Sequence, residues 1–192
     1  MFKNIFKYLP LIGVFLITSC IDYKQTIAID NDLTGDFEIE ARLSAEAMSF
    51  LTSQKHPYMK FTDATYIDDT FTKENGFKLS RFRSYDKDGS RYLIIKGKIL
   101  DLENALESGL LGDYRYQDLG DKISIQLSFE NPYVDRPNAL GPSSNIIYHY
   151  KLKSSPLNYE SLKKKGNLYE WNFNEQLKSK KQSTIRIELA KP

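Results

Sequence analysis

YKQTIAIDNDLTGDFEIEARLS, residues 23–44, decides the fold class. Tyr23, Gln25, Ile27 and Ile29 fall on one side of a period-two pattern, with Lys24, Thr26, Ala28 and Asp30 on the other. Successive side chains of an extended backbone point to opposite faces, so this alternation marks a half-buried strand. Asn31, Asp32 and Gly35 supply turn chemistry, after which Phe37, Ile39, Ala41 and Leu43 alternate again. The stretch predicts a β-hairpin near the start of the chain, one face of it in a core.

Toward the C-terminus, Ser44 is placed to cap a helix, and Leu43 and Met48 are spaced as a hydrophobic staple. A helix over residues 45–54 follows, with Ala47, Met48, Phe50 and Leu51 as its apolar stripe and Pro57 as its stop. Residues 58–75 read as an acidic, Thr-rich loop with a candidate strand at 64–67. Residues 77–85 and 91–100 are β-rich and flank Asp86, Asp88 and Gly89, which predicts a second hairpin. Asp101 is a cap for a short helix with Leu102, Ala105, Leu106 and Leu110 on its apolar face, and Gly109 or Gly112 can end it. A third hairpin joins residues 114–117 to Ile123, Ile125, Leu127 and Phe129. Residues 131–144, rich in Pro, Asn and Gly, read as one exposed loop, and such loops often carry function. Strands are expected at 146–153, 168–173 and 184–189, with Trp171 in phase with Tyr169 and Phe173. The order is that of an α+β fold: a mostly antiparallel β-sheet of hairpins with two short helices packed on it.

Upstream of the hairpin, Lys3 and Lys7 precede an apolar run over 9–17, broken by Pro10 and Gly13, and then Thr18 and Ser19 stand before Cys20. This is the order of a signal peptide. The run is well short of the roughly 20 residues that cross a bilayer as a helix. Ile17, Thr18, Ser19 and Cys20 resemble the lipobox of bacterial lipoproteins, and Cys20 is the only cysteine of the chain. That resemblance implies cleavage between Ser19 and Cys20 and acylation of Cys20, as with palmitate. The other reading is an ordinary secretory signal with a chance cysteine. The expected organisation is a cleaved signal at 1–19, a lipidated cysteine and short tether at 20–22, and a single α+β domain over 23–192. A lone thiol forms no disulfide within its own chain.

The chain has 27 basic and 25 acidic residues, so without Lys3 and Lys7 the balance is 25 against 25. A formally neutral body excludes uniform polyanion binding, and no nucleic-acid partner is expected. Roughly 170 residues are enough to bury a core without metals or disulfides.

Four landmarks together resemble the layout of LppM-like lipoproteins. They are the lipobox cysteine with the hairpin at 23–44 directly behind it, YLIIKGKILDLENALES at 92–108, NLYEWNF at 167–173, and STIRIELA at 183–190. The resemblance implies an exported α+β domain associated with lipid or envelope surfaces and not known for catalysis. Many such proteins carry a further hydrophobic segment at the C-terminus. This chain ends in a polar, Lys-bearing strand and is expected to hang from Cys20 alone.

Catalytic chemistry has little to draw on, with two histidines, His56 and His149, and a cysteine committed to lipid. His56 beside Pro57 fits an exposed side chain after a helix, and His149 between Tyr148 and Tyr150 fits a solvent-facing strand position. No nucleophile-elbow, HExxH or P-loop spacing occurs. Asp86, Asp88 and Gly89 superficially resemble a calcium loop, but the glycine comes early and no closing glutamate follows. Neither a cofactor nor a metal is expected, and the chain is read as a non-enzyme.

The expected function is a membrane-anchored binding module of the bacterial envelope, its partner a lipid, a glycolipid or an envelope component. Tyr148, Tyr150, Tyr169 and Trp171 are the candidate aromatic surface, with core packing as the competing reading, and Lys163, Lys164 and Lys165 are candidate headgroup contacts. Lys178, Lys180 and Lys181 add to the basic character near the C-terminus. The alternative is a protein-interaction module, an adhesin or assembly factor, that uses the 131–144 loop. Oligomeric state and membrane leaflet are not written in the sequence.

Overall fold

A computed structural model of the chain describes residues 21–53, 57–130, 144–176 and 180–192. The first hairpin pairs β1 (Ile21–Ile29) with β2 (Gly35–Ser44), in register from Ile21↔Leu43 to Ile29↔Gly35. Ile21 and Asp22, read above as tether, are paired in β1 with Leu43 and Arg42. Leu33 takes the left-handed conformation at the turn (φ 64°). A side chain at position 35 would meet the Ala28 carbonyl oxygen at 1.8 Å, which is why glycine opens β2.

Ser44 caps α1 (Ala45–Ser53) by accepting a hydrogen bond from the Ala47 amide at 3.2 Å, and Ala47 and Leu51 are buried. After a 3-10 turn (Pro57–Thr62) comes α2 (Ala64–Thr70), where a strand at 64–67 was expected. Asp63 caps it, accepting from the Thr65 amide at 2.9 Å. Ile67 and Phe71, one turn apart, then both reach the core, where Phe71 stacks on Phe37 (5.2 Å between ring centroids, 14°) and lies 5.1 Å from Phe77. Packing of that face outweighs the modest strand preference of Thr65 and Ile67.

The second hairpin is β3 (Phe77–Lys87) and β4 (Ser90–Ile99). Asp88 and Gly89 at its turn both have positive φ, as a two-residue hairpin turn matched to strand twist requires. Asp101 caps α3 (Leu102–Glu107), accepting from the Asn104 amide at 2.9 Å, and Leu102, Ala105 and Leu106 are buried. The third hairpin is β5 (Tyr114–Asp118) with β6 (Lys122–Glu130). The chain continues through β7 (Asn145–Leu152), β8 (Asn158–Glu160), β9 (Lys163–Lys165), β10 (Leu168–Asn172), α4 (Phe173–Gln176) and β11 (Gln182–Ala190).

The structure has the α+β class and mostly antiparallel pairing read from the sequence, but the strands divide into two sheets. One runs β3-β4-β2-β1-β7-β10-β9 and the other β5-β6-β11-β8. Among these pairs β1–β7 is parallel and the rest are antiparallel. The apolar faces meet: Ile27, Phe37, Ile95, Tyr150 and Trp171 of the larger sheet share one core with Ile123, Ile125, Ile185 and Ile187 of the smaller. Ser161, with φ 61°, lies between β8, paired to β11, and β9, paired to β10. There the chain steps from one sheet to the other. No helix among the described residues is long and apolar enough to cross a membrane.

Candidate functional site

Tyr148, Tyr150, Tyr169 and Trp171 do not form an aromatic surface. Tyr150 and Tyr169 are 1% exposed and Trp171 is 0% exposed. They face the second sheet, which alternation alone does not reveal: a period of two says that one face is covered, not which element covers it. The Trp171 indole lies flat on Phe129 of β6 (4.0 Å, 8°), and Tyr148, partly buried, meets Trp171 at 5.9 Å, Phe129 at 5.0 Å and Tyr23 at 5.6 Å. Trp171 Nε1 has no hydrogen-bond partner among the described residues.

Beside this cluster a chain of polar groups crosses the core. Tyr23 Oη donates to Gln25 Oε1 at 2.6 Å, Gln25 Nε2 donates to Tyr114 Oη at 3.2 Å, and Tyr114 and Tyr150 share a hydrogen bond of 2.7 Å. Gln25 is 0% exposed, so this chain is what satisfies its amide. Burial pushes the Tyr114 and Tyr150 hydroxyls well above the ordinary tyrosine range. They are neutral hydrogen-bonding groups that join one sheet to the other.

The aromatic cluster sits at the end of the molecule where β1 begins. The Ile21 amide donates to Ser144 Oγ at 3.3 Å, and Asn174 Nδ2 donates to the Ser144 carbonyl at 3.1 Å. The starts of β1 and β7 and the short helix α4 are thereby fixed together. Ser19, Cys20 and His56 lie outside the described residues, as does the 131–144 loop except for Ser144.

Lys163, Lys164 and Lys165 are exposed and form the edge strand β9. Lys163 pairs with Glu175 at 2.7 Å, Lys165 pairs with Glu170 at 3.2 Å, and Lys164 stands 5.6 Å from the centre of the Tyr169 ring. Each lysine thus has a local partner. Lys180 and Lys181 are exposed ahead of β11, and Lys178 lies outside the described residues. His149 is not solvent-facing: its side chain is 14% exposed, and Nε2 lies 3.1 Å from Glu170 Oε2. A carboxylate only accepts, so Nε2 carries the proton. Burial opposes ionisation of Glu170, but hydrogen bonds from His149 and Lys165 outweigh it and hold its carboxyl below the usual range. Asp86, of the calcium-like stretch, gives both carboxylate oxygens to Arg91 at 2.5 and 2.9 Å.

No family model matches the chain, and no curated protein matches it in sequence. Among solved structures, the NMR structure of the folded domain of LppM from Mycobacterium tuberculosis matches 89% of this chain and 90% of its own, with a TM-score of 0.54 and 12% identity. The fold is LppM-like. At that identity the likeness concerns fold alone. The Fcho1 mu homology domain of Danio rerio, solved with an Eps15 peptide, covers 92% of this chain and 80% of its own at 11% identity, and its TM-score of 0.28 carries no argument.

In this LppM-like arrangement the space between the sheets is filled by Tyr114, Tyr150, Phe129 and Trp171. A cleft among Ile29, Leu33, Leu152 and Leu189, at the end away from Ile21, encloses about 20 Å³, room for one water. The surface group that the sequence reading passed over is on β3, where Lys78, Arg81, Arg83 and Lys87 are all exposed. Its signal is a phase break. Phe77 and Leu79 predict odd residues inward, whereas Phe82 fits only if one residue is inserted before it.

Proposed function

We propose that this chain is an exported bacterial envelope lipoprotein, acylated at Cys20, whose body is a non-catalytic binding module for a lipid, glycolipid or other envelope component. The observation that carries the reading is that Ile21, the residue after Cys20, already belongs to β1, hydrogen-bonded to Ser144 and paired with Leu43. A fatty chain on the preceding residue holds the sheet within about 4 Å of its point of attachment, so the body works at the bilayer surface. The LppM-like fold supports the same reading. With the inter-sheet space occupied by aromatic rings, the ligand is met on the outside of the sheets.

The test is metabolic labelling. Labelled palmitate is expected in the intact chain and absent from Cys20→Ala, which should also accumulate uncleaved. Equal labelling of both forms, or none of either, would overturn the proposal.

A further inference from the structure

The outer face of the seven-stranded sheet is laced by cross-strand ion pairs: Lys24 with Glu40, Arg42 with Asp22, Lys96 with Glu38, and Lys98 with Asp36. The pattern fails at β3. The inserted residue is Ser80, where the register slips between Leu79 and Arg81 and the Ser80 hydroxyl donates to the Lys96 carbonyl at 3.0 Å. Beyond it Phe82 faces the core opposite Ile95, while Arg81, Arg83 and Tyr85 turn outward opposite Lys96, Ile94 and Tyr92. Lys78 comes to lie opposite Lys98. Like charges directly opposite each other destabilise an antiparallel pair, and here they occur twice in succession. Glu38 and Asp36 neutralise the two lysines of β4, but among the described residues no acid pairs with Lys78, Arg81, Arg83 or Lys87. The result is a cationic stripe along the edge of the sheet with no ion-pair partner among the described residues.

Two further features fix what it faces. Tyr85, 42% exposed, stacks on Tyr92 (5.3 Å, 10°), presenting an amphipathic aromatic pair beside Arg83. Register carries this pair across to the second residue of β1: Tyr85↔Tyr92, Tyr92↔Arg42, Arg42↔Asp22. The pair therefore shares a row with the second residue of β1, about 14 Å away at three strand spacings. Cations with tyrosines at an interfacial depth are the composition that seats a protein on an anionic bilayer. We propose that the outer face of β3 and β4 lies on anionic phospholipid headgroups, with Arg81, Arg83 and Lys87 on the phosphates and Tyr85–Tyr92 at the boundary. This orientation rests on the tether proposed at Cys20 for its proximity, but not for its charge chemistry.

The experiment separates the two. The full chain carrying Cys20→Ala is mixed at low salt with vesicles of phosphatidylcholine alone, or with about 30% phosphatidylglycerol, and vesicle-bound protein is measured by sedimentation. The gain in binding on adding phosphatidylglycerol is compared among this chain, the same chain with Arg81→Gln and Arg83→Gln, and the same chain with Lys163→Gln and Lys165→Gln. The signal segment is common to all three and cancels. Each surface cation contributes about a fivefold preference, so the arginine pair should lower the gain about 30-fold and the ion-paired lysines far less. An unchanged gain in the arginine form overturns the proposal, and so does binding of soluble polyglutamate through the same arginines without any gain from phosphatidylglycerol. If wild-type Cys20 proves unacylated while the arginine dependence stands, the tether falls and the stripe survives. Acylation with no arginine dependence gives the reverse.

Discussion

Two glycines show how differently a single residue can be required. Gly97 of β4 pairs with Phe37 across the strands, and a methyl group there would lie 2.6 Å from Phe37 Cε1 and 2.5 Å from the Lys78 carbonyl oxygen. Neither neighbour is free to move: Phe37 is wedged between Phe71 and Phe77, and the carbonyl belongs to the adjoining strand. Gly89 has nothing within 4 Å, and only its φ of 70° favours glycine. Gly97→Ala is expected to cost about 2–3 kcal/mol through overpacking, and Gly89→Ala about 1 kcal/mol through backbone strain alone. Urea unfolding followed by Trp171 fluorescence measures both. Equal losses would mean that the Phe37 ring can give way.

At the scale of elements, the two sheets are joined by one polar relay as well as by apolar packing. Tyr114 is the member that the smaller sheet supplies, touching both Gln25 and Tyr150. Tyr114→Phe keeps the ring and removes the oxygen, leaving the wholly buried Gln25 amide without its acceptor. The expected cost is about 1–3 kcal/mol, whereas Tyr116→Phe, at a half-buried position of the same strand, should cost under about 0.5 kcal/mol. A loss in Tyr114→Phe no larger than that in Tyr116→Phe would show that water already serves Gln25.

The relay also marks the limit of what the sequence reveals. Hairpins were legible because alternation and turn residues are local, and the caps at Ser44 and Asp101 were legible for the same reason. Helix α2 carried its own cap signal in Asp63, masked by the strand-forming look of Thr65 and Ile67. The parallel β1–β7 contact joins residues more than a hundred positions apart, and the second sheet is closed by β6 and β11 pairing across more than fifty, which no periodicity encodes. The aromatic site was misplaced for that reason: Tyr150 and Trp171 find Tyr114 and Phe129 only after the second sheet has folded over them. The lysines of β9 looked free because Glu170 and Glu175 become their partners only through strand pairing and α4.

Over the whole molecule, electrostatics set a window of stability with two different walls. On the acid side Glu38 is opposed by its own burial but held below the usual carboxylate range by Lys96, and Glu170 is held down in the same way by His149 and Lys165. Arg91 lowers Asp86, and Lys191 lowers Asp118. A carboxyl whose folded pKa is depressed binds fewer protons in the native state than in the unfolded chain. Its contribution is therefore complete above the unfolded value, near 4, and disappears as pH falls through the lower folded value. On the alkaline side burial raises Tyr114 and Tyr150, so the native state keeps protons that the unfolded chain releases above about pH 10, and stability is lost as pH rises from there. The melting temperature should be level between about pH 5 and 9, falling below about 4.5 and above about 10. Glu38→Gln combined with Glu170→Gln should flatten the acid limb while leaving the alkaline limb in place. Tyr114→Phe should soften the alkaline limb alone, and a melting profile in which each substitution moved both limbs equally would show that net charge, not these buried and paired groups, sets the window.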